Sequence, residues 1–156
     1  SGVAPVPQMV ERGLKVGFGT DGAASNNTLD LLRDVQLAAL VYKGVAADPT
    51  CMPARTIAEL LTIGGARVLG LADKVGSLEP GKRADVVCIG VASPHAVPVF
   101  APFAPLVYAA RAADVRHVVV DGRVLVRDGE LQPMDEAALL AEARQATTGL
   151  VERLKR

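Results

Sequence analysis

Among the acids of this sequence, Asp21 has the setting best suited to chemistry. It lies in KVGFGTDGAASNN, residues 15–27, where a short apolar run passes into small polar residues. In parallel α/β folds, functional side chains gather at the carboxyl ends of strands. A carboxylate two residues beyond Gly19, with a helix to follow, is placed to ligate a metal or move a proton. Gly22, Ala23 and Ala24 leave room for a ligand, and Ser25 and Asn26 offer hydrogen bonds. The same residues suit an ordinary turn, in which Asp21 satisfies backbone N–H groups ahead of the helix. Local rules favour the turn, and both readings stay open at this level. Asp121 repeats the Asp-Gly dipeptide between two Val-rich runs, where it reads as a hairpin turn.

Other chemically capable side chains read as structural. His95 and His117 fall in no HxH or HExxH pattern. Asp30 and Asp34 are spaced i, i+4 on a helix that starts with polar residues, and are expected to face solvent. Lys82, Arg83 and Asp85 form a charged turn, and Gly81 alone makes no phosphate loop. Tyr108 is expected in the core or at an interface. Cys51 and Cys88 form no CxxC and read as reduced, buried thiols of a cytoplasmic protein.

The elements that must carry Asp21 follow from periodicity. Residues 5–12 suit a short helix that stops at Gly13, and Lys15–Gly19 a short strand. A long helix is predicted over 28–47, capped by Asn27 or Thr28, with Asp30 in its first turn and Asp48-Pro49 at its end. Pro53 opens a second helix with Ile57, Leu60, Leu61, Ile63 and Ala66 inward. Pro80-Gly81 then makes a type II turn, and 85–91 a strand. SPHAVPVFAPFAP is an irregular connection to a short helix over 106–111. VRHVVVDGRVLVRDGEL reads as a hairpin, and residues 135–154 as an amphipathic helix capped by Asp135. Residues 1–70 thus resemble the end of an α/β array, 71–133 part of a separate β-rich module, and 134–156 a closing helix. The strands are too few for a closed sheet, and the chain opens on Ser1 in loop-like sequence. The expectation is a piece of a longer protein.

Composition narrows the partners. Seventeen basic residues balance seventeen acidic ones, which gives no electrostatic case for nucleic acid or an anionic membrane. Aromatic residues are 3% of the chain, too few for base-stacking platforms. No stretch is apolar enough for a spanning helix.

Taken in order, VGFGTDGAASNNTLDLLRDVQLAALVYK, PARTIAELLTIGGARVLGL, VGSLEPGKRADVVCIG, PLVYAAR and VRHVVVDGRVLVRDGEL resemble the C-terminal part of the metal-dependent amidohydrolase superfamily. The nearest branch is that of the 5-methylthioadenosine/S-adenosylhomocysteine deaminases and the N-ethylammeline and triazine chlorohydrolases. The resemblance implies an α/β fold: the C-terminal end of a (β/α)8 barrel, the C-terminal half of a flanking β-sandwich, and a closing helix. It implies one divalent metal, zinc or iron, held in the family by an HxH pair, a later His, and an Asp after the last barrel strand. Asp21 matches that Asp, and so becomes metal ligand, catalytic proton carrier and substrate contact. The metal lowers the pKa of a bound water. Asp21 takes a proton from that water and passes it to the departing ammonia.

The resemblance further implies a small heterocyclic substrate, with either homo-oligomerisation or a missing N-terminal part as partner. Two departures stand out: no HxH occurs, and Ala101 stands where the family often has an Asp. With one ligand of four, these residues alone build no zinc site of ordinary coordination, and are expected to be inactive alone. Two rivals remain: a chlorohydrolase or guanine-type deaminase of the same superfamily, and a non-catalytic packing or oligomerisation fragment.

Overall fold

A computed structural model describes residues 2–132 and 134–154. Helix α1 spans Val6–Glu11, with Pro7 in its first turn and Gly13 beyond its end at φ +73°. Residues 14–22 form neither helix nor strand, contrary to the strand expected at Lys15–Gly19. The cause is the lack of a partner. A strand needs a neighbour for its backbone N–H and C=O groups, and the one sheet among the described residues is built elsewhere.

A single turn, α2 (Ala23–Asn26), precedes the long helix α3 (Leu31–Ala46). The cap is Asp30, not Asn27 or Thr28: its Oδ1 accepts the N–H groups of Leu32 and Arg33 at 3.1 and 3.2 Å. Asn27 and Leu29 sit at φ +71° and +52°, a left-handed conformation that no helix start can include. Ala47, also left-handed, closes α3 ahead of Asp48-Pro49.

The second helix is divided. After Pro53 as cap come α4 (Ala54–Glu59), a π turn (Leu60–Gly64) and α5 (Gly65–Val68). The π turn carries one residue more than a regular turn, so it displaces Gly64 from the ordinary helical surface. Helix α6, expected at 106–111, runs Phe103–Tyr108. Val35 and Ala39 of α3, Ile57 and Ala58 of α4, Met52, and Val107 of α6 form the core, with Phe18, Tyr42 and Leu106 packed around them. The Gln36 side-chain amide donates to the Tyr108 carbonyl and fixes α6 on α3. The connecting helix of the β-rich half is therefore seated among helices of the first half.

The sheet is antiparallel, in the order β1 (Val86–Ile89), β2 (Val115–Val120), β3 (Arg123–Arg127), β4 (Glu130–Leu131). Asp121 and Gly122, at φ +49° and +78°, make the predicted two-residue turn. Asp128-Gly129 makes a second one, at φ +53° and +86°. The first hairpin is pinned to the approach to β1, where the Asp121 N–H donates to Asp85 Oδ1 at 2.7 Å and Gly122 N–H to the Ala84 carbonyl. The turn at Pro80-Gly81 is closed by the Lys82 N–H donating to the Glu79 carbonyl. Helix α7 (Glu136–Leu154) is capped by Asp135 Oδ1, which accepts the Ala138 N–H at 3.0 Å.

Neither cysteine is fully buried. Cys51 is half-buried beside the core, and Cys88 on β1 is exposed, as is its neighbour Val87. Both are free thiols.

Candidate functional site

Asp21 closes the extended passage 14–22 and takes a left-handed backbone conformation, φ +59°. Asp tolerates that region better than most residues, since its short side chain bonds locally. The Gly22 N–H donates to Oδ1 at 2.7 Å, and the Ser25 hydroxyl to Oδ2 at 2.9 Å. The Ser25 hydroxyl also lies 3.0 Å from the Gly22 carbonyl, but the ionised carboxylate is the stronger acceptor. The Gly22 N–H first, and then the Ser25 hydroxyl, hold the Asp21 carboxyl below its usual range. The group is exposed, so each oxygen keeps lone pairs open to a ligand.

The loop around it is braced from α3. Asn26 Nδ2 donates to Asp34 Oδ2 at 2.7 Å, and Thr28 Oγ1 to Asn26 Oδ1 at 2.9 Å. Asp30 and Asp34 are therefore half-buried structural acceptors and not the solvent-facing pair expected from their spacing. Of the two residues expected to supply hydrogen bonds near Asp21, Ser25 reaches it and Asn26 turns to Asp34.

The remaining candidates lie in other networks. His95 Nε2 is 2.8 Å from Asp114 Oδ2, which also accepts the Arg111 N–H at 2.9 Å. Asp114 is only 8% exposed, yet the hydrogen bond from His95 outweighs burial and holds its carboxyl below the usual range. His117 Nδ1 accepts the Asp128 N–H at 3.3 Å. Lys82 reaches Ser77 and Glu79 and closes its own turn, and Arg83 pairs with Asp121 at 3.5 Å.

Among the described residues no three His, Cys, Asp or Glu side chains lie close enough together to hold a metal ion. Asp21 offers what a divalent cation asks of one ligand: an ionised carboxylate on a fixed stem with an open side. Sequence reasoning missed how the approach to Asp21 is fixed. Gly17 leaves no room for a Cβ against Gly65, nor Gly64 against Val16, and the signal available was the Gly-Gly pair interrupting the helical pattern LLTIGGAR.

Residues 1–125 match the amidohydrolase family, and the chain belongs to it. It is 45% identical over 144 residues to the 5-methylthioadenosine/S-adenosylhomocysteine deaminase of Syntrophobacter fumaroxidans, covering 92% of this chain and 33% of that protein. In structure it is similar to a zinc-bound adenosine deaminase from Xanthomonas campestris: TM-score 0.90, 40% identity, covering 93% of this chain and 33% of that one. It is also similar to the zinc complex of atrazine chlorohydrolase from Arthrobacter aurescens TC1, with TM-score 0.83 and 35% identity, covering 92% of this chain and 32% of that one. The chain spans about a third of the length of the curated relatives it matches. Its architecture is an α/β fold with a small antiparallel sheet, consistent with the family match and these likenesses.

Proposed function

We propose that this chain is the C-terminal, metal-ligating part of a hydrolase that deaminates an aminopurine nucleoside of the 5-methylthioadenosine or S-adenosylhomocysteine type. On this reading, residues 1–70 close a (β/α)8 barrel, 71–133 contribute part of a β-sandwich with α6 as its connecting helix, and α7 is the closing helix. The observation that carries it is the Asp21 carboxylate, ionised, exposed, and held by Gly22 and Ser25 at the end of the extended passage. Names of relatives that deaminate such nucleosides, and of zinc-bound neighbours, supply the substrate class and the metal.

A divalent metal, zinc or iron, bound at Asp21 would lower the pKa of a water it holds. Asp21 would accept a proton from the attacking water and deliver it to the amine nitrogen, which would leave as ammonia. The bond formed is carbon to oxygen and the bond broken is carbon to nitrogen. Being ionised at neutral pH suits Asp21 both to a cation and to the first proton transfer. The other metal ligands would come from sequence outside these residues, since this chain offers one.

Asp21→Asn in the complete protein keeps the shape but removes the proton-accepting charge. Zinc content and ammonia release from 5-methylthioadenosine should both fall, the rate by about 100- to 10,000-fold. Undiminished turnover in the variant contradicts the role of Asp21. A wild-type protein that binds no metal and releases no ammonia from adenosine-type substrates contradicts the deaminase reading and favours a packing fragment. The likeness to atrazine chlorohydrolase favours a second reading, hydrolysis of a carbon–chlorine bond at the same carboxylate. Chloride release from a chlorotriazine separates the two.

A further inference from the structure

We propose that Gly17 and Gly64 are positioning residues for Asp21: with no side chains, they let Gly17 pack on Gly65 and Gly64 pack on Val16, which fixes the track on which the carboxylate is carried. This rests on the reading of Asp21 as a metal ligand and extends it to residues that touch neither metal nor substrate.

Within the described residues the passage leading to Asp21 is fixed by packing, and the barrel neighbours of the proposed complete protein lie outside them. Among the described residues, no backbone hydrogen bond ties 15–20 to another segment. Its hold on the molecule is packing. Phe18 rests on the core formed by α3, α4 and α6. On the preceding residues the contact is backbone to backbone. A Cβ built on Gly17 would stand 2.7 Å from the Gly65 Cα and 3.1 Å from its nitrogen. A Cβ on Gly64 would stand 2.8 Å from the Val16 carbonyl oxygen, 3.0 Å from that of Glu59 and 3.3 Å from Leu60 Cδ2. Both distances to the facing backbone are below any real contact, so a methyl at either site must move one backbone away from the other.

The π turn explains why the contact falls here. Its extra residue carries Gly64 to the segment, and Gly64 is buried in that contact. Neither glycine needs a left-handed backbone: Gly64 is right-handed helical and no positive φ is recorded at Gly17. The requirement for glycine is therefore one of space. Gly65 supplies an internal control, because a Cβ there would meet only the Leu60 carbonyl, at 4.0 Å.

From Gly17 to Asp21 is four residues, and the Asp21 side chain is oriented only by its own loop, through Gly22 and Ser25. A displacement forced at Gly17 or Val16 therefore moves the stem that carries the carboxylate.

The test uses the complete protein, stripped of metal and titrated with zinc, with thermal midpoints of the metal-free forms and steady-state kinetics alongside. Gly17→Ala and Gly64→Ala should weaken zinc binding by about 10- to 100-fold, the range for residues that orient a ligand from behind. The fall in kcat should be comparable, with KM within about threefold. Gly65→Ala should bind zinc as the unchanged protein does. Gly122→Ala, strained at φ +78° in the distant hairpin, should lower the thermal midpoint and leave zinc affinity intact. If Gly17→Ala and Gly64→Ala lose only thermal stability, as Gly122→Ala does, the proposal is overturned. Where an alanine variant yields no folded protein, Leu60→Val loosens the wall behind Gly64. It should weaken zinc binding at the lower end of that range, and unchanged affinity there counts against the proposal. Asp21→Ala distinguishes the two levels. If it keeps zinc, the metal reading itself fails; if it loses zinc while the glycine variants keep it, only the glycine contact fails.

Discussion

Asp21 is a residue whose local sequence describes a turn, and in the structure that turn leaves its carboxylate exposed and held, as the proposed ligand role asks. The Asp-Gly step is a turn, with Asp21 left-handed and bonded to the next N–H. That same bond, with the one from Ser25, keeps the carboxylate charged and aimed. Asp21 and the hydrogen-bonding reach of Ser25 were legible in the sequence because both lie within five residues of one another. The role of Asn26 was not, since its partner, Asp34, lies a helical turn inside α3. Ser25→Ala should remove one of the two donors and weaken zinc binding in the complete protein by about tenfold, measured by competition with a chelator. Asp114 makes a prediction of the opposite kind, about stability. Its lowered carboxyl contributes in full above the ordinary carboxylate value of about 3.9 and loses that contribution as pH falls through the lower native value. Asp114→Asn should therefore flatten the acid limb of stability below about pH 4, followed by urea unfolding across pH. Asp114→Ala, which leaves the Arg111 N–H without its acceptor, should cost about 1–3 kcal/mol near neutrality.

Elements were legible where a local signal sets their bounds. The hairpin over β2 and β3 follows from two Val-rich runs around Asp121-Gly122, and the turn is there. The second Asp-Gly turn carries a weaker sequence signal because the run after it, β4, is only two residues long. Helix α3 starts later than the sequence pattern predicts. Asn27 and Thr28 look like caps in one dimension, but left-handed Leu29 moves the start to Asp30. Asp30→Ala should lower stability by about 1 kcal/mol, visible as a shift in the thermal midpoint by circular dichroism. Lys15–Gly19 shows the limit of pattern reading. An apolar run bounded by turns marks where a strand can form, whereas a strand exists only beside another.

At the scale of the molecule, large apolar side chains stand in the open. Phe100 is 93% exposed, Leu69 72%, Leu78 75% and Leu40 55%. Scattered single residues of this kind are ordinary, but α3 and the Pro-rich connection each present several. Residues 1–156 produced alone should self-associate, and light scattering showing a sharp monomer would contradict this. The family was legible from five ordered stretches of sequence, because they spread over nearly the whole chain. The seating of α6 was not, because its partners are distant in sequence.

That seating has a consequence for synthesis. Val107 closes the core over Val35, Ala39 and Ile57, and the Tyr108 carbonyl takes its hydrogen bond from Gln36, 72 residues earlier. Helices α3 and α4 are thus made before the helix that covers them. A growing chain on the ribosome holds α3 and α4 with their shared apolar face open until residue 108 has emerged from the exit tunnel. During that interval a chaperone that binds apolar helices has its opening.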